Sequence, residues 1–251
     1  MKRSYMTMFK PVKHFIQQSL CLPLLTLSMV MPASAAAPYQ AIDYVDAEFA
    51  VSYNQAAAGG TAKLTIRQQQ HHYDVNFNIQ HSLLKARQQA HFSAEGCDIT
   101  PQSYSASTEA AFKGRSQENL GFNWADKIAT RQHNKDGDTS FQLTQAYYDP
   151  MSLYFKARCD LMAGKQQLSY PLIYKGKEST HRYQVVGTEK VNTGMGEFEA
   201  LVVERQRRNK NRRTTFYVAP ALDYLIVKIE HRESSLATVS MTLKRMDYQL
   251  Q

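Results

Sequence analysis

The sequence predicts an all-β fold: a single antiparallel, barrel-like sheet of about eleven or twelve strands with one short helix. Polar and apolar residues alternate with period two along most of the chain, as they do in strands that bury one face. Turn-forming residues recur between these segments. One stretch near residue 150 breaks the alternation and carries helix-boundary residues. A two-sheet β-sandwich is the alternative, because a dozen antiparallel strands either curl towards closure or split into two layers.

The first strands illustrate the pattern. Residues 44–53 alternate around Val45, Phe49 and Val51, and a second alternating segment covers residues 62–67. The small residues 56–60 between them are predicted to form a turn. A third strand over residues 73–80 places aromatic and aliphatic residues on one face and amides on the other. Similar segments continue to Tyr248, with predicted turns at residues 134–138 and 175–177.

The predicted helix covers Met151 to Met162. Asp149 precedes it as a cap, and Pro150 suits the first helical position, where no amide donor is needed. Gly164 is expected to end the last turn in the left-handed conformation. We expect Arg158 to contribute only its aliphatic stem to the apolar face of this helix.

The amino terminus resembles a secretory signal peptide. Four basic residues precede an apolar run from Leu20 to Met31, which ends at Ala33-Ser34-Ala35. The run is too short for a stable transmembrane helix. The sequence therefore predicts a signal peptide over residues 1–35, a single β-rich domain over residues 36–251 and export to the periplasm. Cleavage would remove four positive charges from the formal net charge of +8 and leave +4.

Two cysteines remain after cleavage. Cys97 and Cys159 would lie in a compartment that oxidises thiols, so the sequence predicts one disulfide between them. Two buried free thiols are the alternative. No CxxC motif indicates redox chemistry.

Several segments, taken in order, resemble one family of exported bacterial proteins, called domain of unknown function 3108. The resemblance covers nearly all of the predicted mature chain. It is carried by these segments: Tyr53 to Leu64, Asp149 to Tyr154, Gly187 to Val191, Gly194 to Ala200, Phe216 to Pro220 and Tyr224 to Ile229. The resemblance implies a soluble, β-rich envelope protein, and it brings no catalytic residues with it.

The strongest local charge lies in the basic segment, residues 205–213. It holds six cations and no acid: Arg205, Arg207, Arg208, Lys210, Arg212 and Arg213. If residues 209–211 form a hairpin tip, the six charges would project together from one end of the sheet. Anionic lipid headgroups, a membrane surface or an acidic protein would suit such a patch. Export and the lack of aromatic residues within the segment argue against nucleic acid.

The sequence gives less support for a metal site, a cofactor site or a hydrolase active site than for the basic segment. His71, His72, His81 and His91 could lie in neighbouring strands, but adjacent strand residues face opposite sides, so we expect no metal site. No motif for a bound cofactor is present either. A hydrolase would need a nucleophile elbow, and the sequence has no GxSxG.

The predicted function is therefore noncatalytic. We expect an exported envelope protein that binds a lipid or another hydrophobic or amphipathic ligand and uses its basic segment at an anionic surface. An interaction module that docks on an envelope protein complex is the alternative, and an unrecognised hydrolase is the third hypothesis. A hydrolase should show titratable side chains that converge in a cleft.

Overall fold

The computed structural model describes residues 39–54, 56–81, 84–110, 114–209, 211–235 and 237–251. The predicted signal peptide lies outside these ranges. Within them the chain forms fourteen strands, one α-helix and one 3-10 turn. The first eight strands are β1 Ile42–Tyr53, β2 Ala56–Gln69, β3 His72–His81, β4 Leu84–Glu95, β5 Asp98–Ala110, β6 Gly114–Asn123, β7 Ile128–His133 and β8 Thr139–Gln142. After helix α1, Ser152–Met162, come β9 Gln167–Tyr174, β10 Lys177–Thr193, β11 Gly196–Gln206, β12 Arg213–Ala219, the 3-10 turn Pro220–Leu222, β13 Leu225–Ser234 and β14 Ala237–Leu250.

All of these strands belong to one antiparallel sheet with the order β8-β7-β6-β5-β4-β3-β2-β1-β14-β13-β12-β11-β10-β9. Two meanders therefore meet where the first strand pairs with the last. The predicted single sheet and short helix are confirmed. The predicted count of eleven or twelve strands is wrong, and the two-sheet alternative does not occur. β8 has only four residues, which is too short for an alternating pattern to be recognised.

The first predicted turn is also misplaced. Residues 56–60 already belong to β2, and Ala56 pairs with Tyr53. The chain reverses instead near Asn54, which adopts a positive φ of 47°. Asparagine tolerates this conformation, so it can make the turn without glycine.

The boundaries of α1 follow the predicted chemistry. Asp149 Oδ1 accepts hydrogen bonds from the backbone N–H groups of Met151 (2.8 Å) and Ser152 (3.1 Å). The Ser152 hydroxyl donates to Asp149 Oδ2 at 2.6 Å. At the other end Gly164 has a φ of +79°, as expected for a glycine that terminates a helix.

α1 packs on one face of the sheet, which we call the inner face. The Phe155 ring lies 5.0 Å from Tyr73 and 4.7 Å from Phe92, between centroids. Cys159 is bonded to Cys97 in the turn between β4 and β5, with the two Cα atoms 5.8 Å apart. The predicted disulfide is thus present, and it ties the helix to this part of the sheet.

Arg158 makes a second anchor for α1. Its whole side chain is buried, at 1% exposure, so the prediction that only its stem would be covered is wrong. Its Nε donates to the carbonyl of Asp223 at 2.7 Å, and its Nη1 donates to the carbonyl of Gln40 at 2.8 Å. The guanidinium also lies over the Tyr39 ring. The helix is therefore held to both the segment just before β1 and the turn before β13.

The sheet curves around α1 but does not close. β8 and β9 are its two edges, yet β7 approaches the turn between β9 and β10 so closely that a Cβ at Gly176 would lie 2.9 Å from Arg131 Nη1. The segment before α1 also runs beside β9, where Tyr148 N–H donates to the Pro171 carbonyl. The inner face is consequently concave. No helix in the described ranges is long and apolar enough to cross a lipid bilayer.

Breaking the disulfide should reduce stability. The bond joins residues 62 positions apart, and the chain-entropy model assigns such a loop about 4 kcal/mol. We expect Cys97→Ser/Cys159→Ser to unfold at a lower urea concentration than the oxidised protein and at the same concentration as the reduced protein. Equal urea midpoints for the oxidised and reduced wild type would contradict the structural role of the bond.

Removing the Asp149 cap should also destabilise the fold. Asp149→Ala leaves two buried N–H groups without an acceptor, so we expect a loss of about 2 kcal/mol in the free energy of unfolding. Asp149→Asn is the matched control, because its amide oxygen can still accept both bonds. Burial raises the pKa of Asp149, so loss of the charge is itself tolerable. Urea denaturation would measure the free energy of unfolding of both variants. If Asp149→Asn lost as much stability as Asp149→Ala, the two hydrogen bonds to Oδ1 would not be what stabilises the helix start.

Candidate functional site

α1 covers only part of the inner face. A helix of eleven residues is about 16 Å long, whereas strands of twelve residues such as β1 and β4 extend for about 40 Å. The exposure of the inner-face side chains of β3 shows where the helix ends. Tyr73 and Val75, near the helix, are each 2% exposed. Phe77 and Ile79, further along the same face, are only half-buried.

The uncovered part carries a row of apolar side chains that we call the apolar band. On β12 to β14 the band follows the strand register, because Phe216 pairs with Ile229 and Ile229 pairs with Met241. It continues across β1 and β2 to Phe77 and Ile79 on β3, through the buried Val51 and Ala62. The band comprises Phe77, Ile79, Phe216, Ile229, Val239 and Met241, all of them half-buried.

Next to this band lies the inner cationic cluster, which we define as His181, Arg205 and Arg207. Arg205 pairs with Tyr183 across β10 and β11, and the Tyr183 ring lies 6.1 Å from Phe216 between centroids. Arg205 Nη2 donates to Nε2 of His181. Arg207 Nη2 donates to the Thr214 hydroxyl at 3.2 Å. The Nε atoms of both arginines are buried and have no hydrogen-bond partner.

The electrostatics of the cluster are unfavourable as it stands. Burial, followed by the charges of Arg205 and Arg207, lowers the pKa of His181 to about 4, so the imidazole is neutral at pH 7. Burial and the neighbouring Arg207 also lower the pKa of Arg205. No carboxylate of the described residues lies within ion-pair distance of Arg205 or Arg207. Two like charges therefore stand side by side on the inner face without a counter-ion.

The basic segment does not project as one patch. β11 continues to Gln206, so its alternation directs Arg205 and Arg207 to the inner face, whereas Arg208, Arg212 and Arg213 are exposed. Arg212 pairs with Glu233, and Arg213 pairs with Glu204 at 3.0 Å. Lys210 lies outside the described residues. The predicted common projection of the six cations is therefore wrong, and whether any of them binds an anionic surface stays a prediction.

A second polar site, the polar cleft, lies between the inner face of β4 to β7 and the turn after β9. It is a cavity of about 480 Å³. Arg131, nearly fully buried, donates to Glu118 at 2.8 Å and lies 3.4 Å from Asp136. Sequence reasoning missed this ion pair because Glu118 and Arg131 stand on different strands, and only the register brings them together.

The polar cleft also contains a serine, a histidine and an aspartate in contact. Ser116 Oγ lies 3.0 Å from His133 Nε2, and His133 Nδ1 lies 3.1 Å from Asp136 Oδ2. A nucleophile would need Nε2 to accept a proton and Nδ1–H to donate to the carboxylate. Here the backbone N–H of Asp136 donates to Nδ1 at 2.9 Å. Because Nδ1 is an acceptor, the proton is on Nε2, and Ser116 accepts from it instead of being activated.

The four histidines considered as metal ligands do not converge. His71 is exposed in the turn before β3, His72 is exposed at the start of that strand, and His91 pairs with Asp74. In the part of the chain that the structure describes, no three His, Cys, Asp or Glu side chains are grouped as a metal site.

These observations define a class of protein: a curved, open antiparallel sheet that holds one helix against its concave face and leaves part of that face uncovered. Residues 48–244 match the family described as "Protein of unknown function (DUF3108)", and the chain belongs to this family. The predicted family is thus confirmed.

The fold has a solved relative. The crystal structure of a beta-barrel-like protein of domain of unknown function DUF1849 from Brucella abortus is similar, with a TM-score of 0.54 and 10% sequence identity. The match covers 83% of this chain and 99% of that one. At this identity the similarity concerns the fold alone. No curated protein matches the sequence.

The buried His181 should make stability depend on pH. Its pKa of about 4 lies below the value of about 6.5 in an unfolded chain, so between these values the unfolded state binds a proton that the folded state does not. Stability should therefore fall as the pH drops from 7 to 4.5. We expect this fall to be about 2 kcal/mol larger in the wild type than in His181→Gln.

Urea denaturation of both proteins at pH 7 and pH 4.5 would measure the difference. His71→Gln is the control, because His71 is exposed in a turn. If His181→Gln lost as much stability as the wild type on acidification, the buried neutral state of His181 would be refuted.

Proposed function

We propose that this chain is a noncatalytic, exported envelope protein that binds a hydrophobic or amphipathic ligand on its inner face. The observation that carries the proposal is the apolar band, because it lies in a concavity and is left half-exposed by the only helix that packs on the described sheet. Residues of the same strands nearer the helix are almost fully buried.

The energetics favour an occupant. Covering apolar surface contributes roughly 25 cal/mol per Å², and soluble proteins seldom leave a contiguous apolar patch uncovered unless something binds there. The band is also concave, which allows a ligand to be surrounded on several sides. A flexible chain could therefore lie across β12, β13 and β14 and contact Phe216, Ile229 and Met241 in succession.

The cellular setting belongs to the same proposal. The signal-peptide pattern of residues 1–35 indicates export to the periplasm. The exposed Arg208, Arg212 and Arg213 would then face an anionic membrane surface, although Glu233 and Glu204 each offset one of these charges. Juxtamembrane cations contribute about 1 kcal/mol each to binding at such a surface. This contact would therefore orient the protein at the membrane but would bind it there only weakly.

Two other functions remain distinguishable from this one. A docking module for an envelope protein complex would bind a protein and no small amphiphile. A hydrolase would use the polar cleft, where titratable groups do converge, but the proton position on His133 leaves Ser116 without a general base. Ligand binding on the inner face is the function that the geometry favours.

Placing a charge within the apolar band should weaken ligand binding. We expect Ile79→Glu to bind the neutral fluorescent probe N-phenyl-1-naphthylamine at least tenfold more weakly than the wild type, because a buried carboxylate costs more than 1.4 kcal/mol. Asn78→Glu is the matched control: it is the adjacent residue, it lies on the outer face, and a glutamate there can still accept the hydrogen bond from Arg87.

Probe fluorescence would measure both affinities, and native mass spectrometry of protein purified without detergent would reveal a retained ligand. If the wild type bound no probe and carried no adduct, the ligand-binding function would be rejected in favour of the docking module. Equal weakening by Ile79→Glu and Asn78→Glu would place the binding elsewhere.

A further inference from the structure

We propose that His181, Arg205 and Arg207 bind the phosphate of an amphipathic ligand whose apolar chain lies on the apolar band. This inference rests on the proposed function and deepens it, because it names the headgroup chemistry and the residues that recognise it. The basic segment was expected to meet an anionic surface outside the protein, whereas these two arginines would meet an anion within it.

The first argument is the set of unused donors. Both Arg205 and Arg207 keep a buried Nε–H without an acceptor, and a buried donor left unpaired costs about 1–3 kcal/mol. The guanidinium presents its N–H groups in a fork that fits phosphate and carboxylate oxygens. A phosphate has enough oxygens to accept from two guanidinium groups at once, which a carboxylate with two oxygens does less completely.

The second argument is a comparison with the partners of the other inner-face arginines. Arg131 is paired with Glu118 at 2.8 Å. Arg158 donates through Nε and Nη1 to the carbonyls of Asp223 and Gln40 and lies over the Tyr39 ring, although its Nη2 has no hydrogen-bond partner. Arg205 and Arg207 have only a histidine nitrogen and a threonine hydroxyl between them. Arg205 and Arg207 differ from both in that two cations lie next to each other, and the described residues supply them with neither a carboxylate nor a carbonyl acceptor.

The third argument is that the cluster adjoins the apolar band. Arg205 pairs with Tyr183, and the neighbouring Val203 pairs with Phe216 on the next strand. From β11 to β14 there are three strand spacings, which is about 14 Å, and the side chains along that path are Phe216, Ile229 and Met241. One molecule with an anionic head and an apolar chain would therefore satisfy both surfaces. A free phosphate would satisfy only the arginines.

His181 would take part through its neutral imidazole. Its Nε2 accepts from Arg205, so its Nδ1 carries the proton and can donate to an oxygen. Bringing an anion into the cluster would also offset the repulsion between the two guanidinium groups, which adds to the affinity of the folded protein for that anion.

The test compares three probes: dodecyl phosphate, dodecanol and inorganic phosphate. We expect the wild type to bind dodecyl phosphate at least tenfold more tightly than dodecanol, as measured by displacement of N-phenyl-1-naphthylamine. Arg205→Gln/Arg207→Gln should lose this preference while keeping its affinity for dodecanol. Arg208→Gln, an exposed neighbour in the same basic segment, is the matched control and should keep the preference. Inorganic phosphate should bind far more weakly than dodecyl phosphate.

The outcomes separate this proposal from the one on which it rests. If dodecyl phosphate and dodecanol bind equally well, or if Arg208→Gln loses the preference as fully as the double variant, the headgroup site is overturned while ligand binding on the band stands. If neither amphiphile binds, both are overturned. If inorganic phosphate binds as tightly as dodecyl phosphate, the arginines form an anion site but the amphipathic ligand is rejected.

A measurement on the wild type covers the case in which the double variant does not fold. Nitrogen NMR of the arginine Nε–H groups should show two resonances that shift on addition of dodecyl phosphate and not on addition of dodecanol. Assignment by the single variants Arg205→Lys and Arg207→Lys, which keep the charge and remove the Nε–H, would identify them. Unmoved resonances would contradict the headgroup site.

Discussion

The position of α1 on the inner face is the constraint on which the rest of the structure depends. The helix is covalently joined to the β4–β5 turn through Cys159, and Arg158 hydrogen-bonds it to the segment just before β1 and to the β12–β13 connection. Its anchors draw together parts of the sheet that are distant in the strand order, which fits the curvature. A helix this short cannot cover strands of twelve to fourteen residues. The uncovered remainder is the candidate site.

The inner-face arginines are compensated to different degrees, with Arg158 held by backbone carbonyls, and the difference between Arg131 and the Arg205–Arg207 pair gives the site its chemical character. On β6 and β7, next to the β8 edge, Arg131 and Glu118 neutralise each other, and the nearby His133 has its proton position set by a backbone amide. This arrangement stabilises the contact of β6 with β7 and suppresses the chemistry that the same side chains could perform in another tautomer. Near β11, Arg205 and Arg207 lack any such partner. Neutralisation is complete at one site and absent at the other.

The family match and the fold similarity to the DUF1849 protein show different things about this chain. The family match covers residues 48–244, which is most of the described sheet, and so shows the family to which the chain belongs. The structural neighbour, with a TM-score of 0.54 at 10% identity, shows that a similar fold can be built from very different residues. The fold therefore does not specify the ligand. Recognition must come from the few inner-face side chains that the helix leaves exposed.

The alternating strands and the helix boundaries at Asp149 and Gly164 were predictable because each depends on neighbouring residues. The cysteine pair and the family were also predictable, the first from two cysteines alone and the second from short segments taken in order. The sequence predicted too few strands, and one of those missed is the four-residue β8, which is too short for an alternating pattern to be recognised. Tertiary structure decided what Arg205 and Arg207 face, that Glu118 meets Arg131, and where the apolar surface stays uncovered. These depend on strand register and on the placement of α1, which bring together residues far apart in the chain and leave no local pattern in the sequence.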